Sequence, residues 1–197
     1  SGGALDVRFA YARGDFELRD STFERSSIRM DAATDDDSSV SAFGAAVNVR
    51  DLVASNSTGP GLPLLIRVRN CNFSQCALRT QTFGVQELSQ AANAYAGAAL
   101  MLRADRGRAA RIELIGSRFT RNEIFVMTPL RAASLSGAAV RVEVAVARDG
   151  FLLDATDCEF AGNVLALMDQ RVSTAEAGGA ALSLSAQSGD RGSVGRV

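Results

Sequence analysis

The chemistry open to this chain is bounded first by what it lacks. Its 197 residues contain no histidine and no lysine, so all 21 basic side chains are arginine. Histidine acid–base catalysis, histidine metal ligation and lysine Schiff bases are therefore closed to it. The acidic run Asp35-Asp36-Asp37 is the nearest approach to a metal site. Calcium takes about six to eight oxygens from a loop with alternating ligands and a glycine turn, and this run has neither feature, so a solvated loop is expected and no cofactor. Cys71 and Cys76 are spaced to close a disulfide across a turn in an oxidising compartment. Alternatively Cys71 and Cys158 fill a small inward site; with no histidine to activate a thiol, a nucleophilic cysteine is not expected. Arg103, Arg106, Arg108, Arg111, Arg118 and Arg121 crowd together in sequence against Asp105 and Glu113. Forked guanidiniums suit sulfate or carboxylate groups, which makes Arg103, Arg106, Arg108 and Arg111 candidate glycan or partner contacts; a solvated, ion-paired sheet is the other reading. Asn56-Ser57-Thr58 and Asn72-Phe73-Ser74 fit the glycosylation acceptor pattern.

The elements that must position these groups are announced by two alternating phrases. Gly-Ala-Ala plus an aliphatic residue begins at Gly44, Gly97, Gly137 and Gly179, with Gly2-Gly3-Ala4-Leu5 as an altered first copy, giving steps of 42, 53, 40 and 42 residues. Between copies falls a phrase centred on Phe23, Phe73, Phe119 or Phe160. A fixed period of roughly 20 to 50 residues marks a solenoid, each repeat burying its apolar face against its neighbours.

Side-chain alternation within the phrases is that of strands. Aligning the copies gives inward rows Leu5, Val47, Leu100, Val140, Leu182 and Val7, Val49, Leu102, Val142, Leu184. Arg8, Arg50 and Arg103, with Glu143 and Ser185, fall on the outward parity. A second strand carries Phe16, Ile66, Ile112, Leu153 inward and Glu17, Arg67, Glu113, Asp154 outward. Asp20, Asn70, Gly116 and Asp157 follow it, residue types that tolerate left-handed backbone and so mark a corner. The phenylalanines share the inward parity and are expected to form a core ladder, while Asn122 and Asn163 are expected to hydrogen-bond the backbone of their own turns. A return about every twenty residues describes an all-β, right-handed parallel β-helix of about nine coils, stacked at about 4.8 Å. Polar bulges at 30–43, 53–63, 79–96, 104–110 and 169–178 are the candidate contact loops.

A net charge of −1 with 47% apolar residues favours one elongated domain over residues 1–197 and argues against nucleic acid as partner. No apolar run is long enough to cross a bilayer as a helix, so direct membrane insertion is not expected. Without a signal pattern or distinct capping segments, a segment of a larger protein is expected.

The Gly-Gly-Ala-aliphatic and Phe-x-x-Asn phrases are similar to the paired repeats of the polymorphic outer-membrane protein family of autotransporter adhesins. Phe119-Thr120-Arg121-Asn122 and Phe160-Ala161-Gly162-Asn163 match the second phrase in full; Ser26 and Cys76 stand in the asparagine's place after Phe23 and Phe73. The resemblance implies a surface-exposed passenger that adheres or builds structure, and it transfers no catalytic residue. The expected function is thus a non-enzymatic structural or adhesive module of an extracellular or cell-surface protein. Its partners would be other subunits, further coils of the same chain, or glycans. A polysaccharide lyase or hydrolase built on similar coils and an acidic-glycan-binding module are the alternatives.

Overall fold

A computed structural model describes residues 4–9, 15–33, 41–51, 64–83, 93–105, 110–128, 132–145, 151–169, 174–187 and 195–196. These form twenty-two strands and no helix. The chain runs through β1 (Leu5–Phe9), β2 (Asp15–Arg19), β3 (Thr22–Glu24), β4 (Ser27–Ala33) and β5 (Ser41–Phe43), then repeats the order. The second set is β6 (Val47–Asp51), β7 (Leu64–Arg69), β8 (Asn72–Ser74), β9 (Ala77–Phe83) and β10 (Asn93–Ala96). The third is β11 (Leu100–Asp105), β12 (Ala110–Ile115), β13 (Arg118–Thr120), β14 (Glu123–Thr128) and β15 (Ala132–Ser136). The fourth is β16 (Val140–Ala145), β17 (Phe151–Thr156), β18 (Glu159–Ala161), β19 (Val164–Asp169) and β20 (Thr174–Gly178), followed by β21 (Leu182–Gln187) and β22 (Gly195–Arg196).

Every strand pairs in parallel with its counterpart five strands away, building five stacked sheets, the first in the order β1-β6-β11-β16-β21. The arrangement is compatible with a parallel β-helix. Register joins Leu5 to Val47 and Phe23 to Phe73, so each phrase pairs with its own next copy. The return expected every twenty residues, and the nine coils counted from it, give way to a circuit of five strands. The glycine and phenylalanine phrases occupy different sides of one circuit.

Each circuit turns at residues with positive φ. Asp20, Asn70, Gly116 and Asp157 make the first such corner, with φ of 50°, 51°, 57° and 53°. Arg25, Gln75, Arg121 and Gly162 make the second, which the sequence did not announce because arginine and glutamine rarely take this backbone. Gly44, Gly97, Gly137 and Gly179 make the third, so Gly-Ala-Ala is a bend and the strand begins at the residue after it. A Cβ on Gly97 would lie 2.7 Å from the Leu100 carbonyl oxygen, which is why glycine recurs there.

The interior divides into two apolar clusters. The larger gathers the rows of β1, β2 and β3 and their counterparts, including Val47, Leu100, Ile66, Ile112, Phe73 and Phe119; the smaller holds Ala42, Leu78, Ile124, Val126 and Leu135. Ala98 and Ala138 enter the smaller cluster while Ala99 and Ala139 enter the larger, so the alanine pair at the bend forms the thin wall between them. Phe23, Phe73, Phe119 and Phe160 stack face to face with centroids 4.9–5.0 Å apart, the spacing that the strands themselves impose.

Thr80 sits in the smaller core between Met30 and Val126 of the adjacent strands. It is buried and its hydroxyl has no hydrogen-bond partner. Thr80→Val replaces that hydroxyl with a methyl of similar size, and should raise stability by about 1 kcal/mol, read as a higher urea midpoint at unchanged m.

Candidate functional site

Of the arginines that crowd together in sequence, the described ones, Arg103, Arg111, Arg118 and Arg121, do not share one sheet. Arg103 lies on β11, 3.9 Å from Glu143 of β16, whereas Arg111 lies on β12 in a different sheet, with Nε 2.7 Å from Glu113. Arg118 on β13 pairs with Glu159 at 3.2 Å, and Arg121 occupies an exposed left-handed corner. Arg106, Arg108, Asn56 and the Asp35–Asp37 run fall outside the described residues. Asn72 is half-buried in β8, paired between Thr22 and Arg118 rather than set in a loop.

Glu113 was expected on a solvated outward row, yet its side chain is only 6% exposed. The alternation of β12 does point it outward; register then places Arg67 beside it, and three guanidiniums close over it. Arg67 Nε and Arg69 Nη2 donate to Oε2 at 3.0 and 3.2 Å, and Arg111 forms an ion pair with its Nε 2.7 Å from Oε1. Burial pushes the carboxyl pKa up, but hydrogen bonds from Arg69 and Arg67 and the charges of Arg111 and Arg67 outweigh it, leaving Glu113 below the usual value of 4.5. A carboxyl with a depressed folded pKa stabilises above its unfolded pKa and loses that stability as pH falls through the folded value. Glu113→Gln should therefore cost about 1–3 kcal/mol at pH 7, with the gap to wild type narrowing below pH 4.5. Paired urea melts across acid pH measure it.

The candidate bridge between Cys71 and Cys76 is not made, and both are free buried thiols, as the small-inward-site reading has it for Cys71. Each sulfur lies against backbone carbonyls instead, its one proton shared between two acceptors: Leu18 and Arg69 for Cys71 Sγ, Phe23 and Ser74 for Cys76 Sγ. Burial pushes Cys76 up to about 11 and raises Cys71 and Cys158 as well, so none is poised as a thiolate nucleophile near neutrality. Cys158 Sγ donates to Leu114 of the preceding circuit, as Ser117 Oγ does to Val68. The serine–cysteine row is a set of inter-circuit ties.

The outer face of the glycine-phrase sheet has a buried floor. Asn48 and Met101, on the outward parity, are as buried as the inward Val47 and Leu100. Asn48 Nδ2 donates to Asp6 Oδ1 at 2.9 Å and its Oδ1 accepts from Arg50 Nε at 3.3 Å. Arg8 forks onto Asp6 through Nε and Nη2 at 3.1 and 2.9 Å. Burial raises the Asp6 pKa, but the hydrogen bond and charge of Arg8, with Asn48 and Arg50, hold it below the usual carboxylate value. Arg50 lies over the Phe43 ring of the neighbouring sheet, 5.4 Å from its centre, so outer side chains of the two sheets meet across the bend. Sequence reasoning placed Arg50 outward but missed its floor, because cross-bend contact leaves no periodic signal.

Among the described residues no three acidic or cysteine side chains converge as a metal site, and no helix is long and apolar enough to cross a membrane. Comparison with protein-family models, curated proteins and solved structures finds no match.

Proposed function

We propose that this chain is a non-enzymatic structural and adhesive module: a right-handed parallel β-helix belonging to a larger extracellular or cell-surface protein, serving as a rigid spacer with outer faces and connections for contact. Right-handedness follows from the strong preference of parallel crossovers for that hand. One observation carries the reading. The inward rows keep one chemistry from circuit to circuit, whereas the outward row Asp6, Asn48, Met101, Arg141, Ser183 changes at every strand, as suits a scaffold that repeats no reactive group from circuit to circuit. The likeness of its phrases to surface-adhesin repeats supports the same setting. Partners in this reading are other subunits, further circuits of the same chain, and glycans.

The test is to incubate the protein with a panel of neutral and acidic polysaccharides and follow chain scission by reducing-end and unsaturated-product assays. No turnover is expected; turnover of any polymer overturns the reading in favour of a polysaccharide-active enzyme.

A further inference from the structure

The outer face of the sheet β1-β6-β11 carries a row of like charge in register: Arg8 opposite Arg50 and Arg50 opposite Arg103. Like charges directly opposite on adjacent strands oppose pairing, so such a row works against the sheet unless something anionic lies along it. Asp6 takes the fork of Arg8, while Glu143 accepts from Arg141 Nε at 3.2 Å and lies 3.9 Å from Arg103. Arg50, in the middle, contacts the neutral Asn48 amide and the Phe43 ring. Behind it, Asn48 and Met101 are sealed from water, and a less hydrated floor strengthens a guanidinium–anion contact.

We infer that this row is a binding surface for a linear polysaccharide bearing sulfate or carboxylate groups, lying across the strands with Arg50 at its centre. The inference rests on the adhesive reading above and names its partner class. Guanidiniums about 4.8 Å apart approximate the advance of one sugar ring in an extended chain. A polymer charged on every sugar meets all three, and one charged on alternate sugars meets Arg8 and Arg103. Single-stranded nucleic acid fits less well, since its binding leans on exposed aromatic platforms, and the Phe43 ring is covered by Arg50.

The experiment titrates the full chain with fluorescently labelled heparin, a homopolyuronate and an oligothymidylate at about 50 mM salt, where phosphate and sulfate contacts are least screened. Wild type should bind heparin or the polyuronate more tightly than the oligothymidylate. Arg50→Gln should weaken that binding about tenfold and Arg50→Lys less, since lysine keeps the charge but loses the fork. Arg118→Gln, on another sheet and 71% exposed, should change nothing, and thermal melts confirm that each variant is folded. Absence of binding to both polysaccharides, equal losses in Arg50→Gln and Arg118→Gln, or tighter binding of the oligothymidylate each overturns the inference. Binding with turnover would instead retain the surface and overturn the non-enzymatic reading, so the two failures are distinguishable.

Discussion

Phe119→Ala should destabilise the protein by about 3–5 kcal/mol, the largest loss expected from a single side-chain truncation here. Phe119 is fully buried, and its ring lies between Phe73 at 4.9 Å and Phe160 at 5.0 Å. Neither neighbour can move into the void, because each is fixed by its own strand: Phe119 is registered against Phe73 on one side and Phe160 on the other. At roughly 2–4 °C per kcal/mol for a chain of this size, the melting temperature should fall by about 6–20 °C. Phe160→Ala is the comparison, since that ring is only half-buried and stacks on one side among the described rings; its loss should be smaller. Equal melts for Phe119→Ala and wild type would show that the ladder contributes nothing.

Asn122→Ala should cost about 2–4 kcal/mol through a different cause. The buried amide accepts from the Cys76 N–H at 3.0 Å and donates to the Phe73 carbonyl at 3.1 Å and to Asn163 Oδ1 at 3.0 Å. Alanine removes few apolar contacts, yet it strands backbone groups that water cannot reach, and each such group costs about 1–3 kcal/mol. Asn122→Asp isolates the donor half of the interaction. The variant keeps an acceptor for Cys76 but sets a carboxylate against the Phe73 carbonyl, which raises its folded pKa. An acid with a raised folded pKa destabilises above its unfolded value, so this deficit should shrink as pH falls, while that of Asn122→Ala should not. Parallel pH-dependent melts of the two variants separate the effects; a pH-independent deficit in Asn122→Asp would refute the assignment.

That the asparagines tie neighbouring circuits, rather than their own turns, shows where sequence reading stops. Alternation of Val47-Asn48-Val49 and Leu100-Met101-Leu102 tells which side chains face in, because strand geometry enforces a period of two. Copies of a phrase then align those strands, and the rows so aligned are the rows that pair. Alternation carries no information about how many strands complete a circuit. The phenylalanine phrase, halfway along each glycine step, therefore reads as a second coil when it is another side of the same one. Glu113 shows the same limit at a single residue: its parity was legible, but its burial depends on Arg67 and Arg69 from a strand 44 to 46 residues earlier. Of the candidate arginines, Arg103 and Arg111 were legible as outward, whereas their separation onto two sheets rests on the connection between β11 and β12. Arg50 became prominent only through contacts across the alanine bend.

The strands return in register whether a circuit takes 40 residues or 53, and this bears on how the molecule would carry a load. Backbone hydrogen bonds between circuits run along the stack, so tension applied end to end pulls on a zipper whose teeth open circuit by circuit. Each opened circuit would release roughly 130–190 Å of slack at about 3.3–3.6 Å per residue in exchange for about 4.8 Å of stack. The stack would thus behave as a stepwise shock absorber, with the length of each step written into its connections rather than into its core.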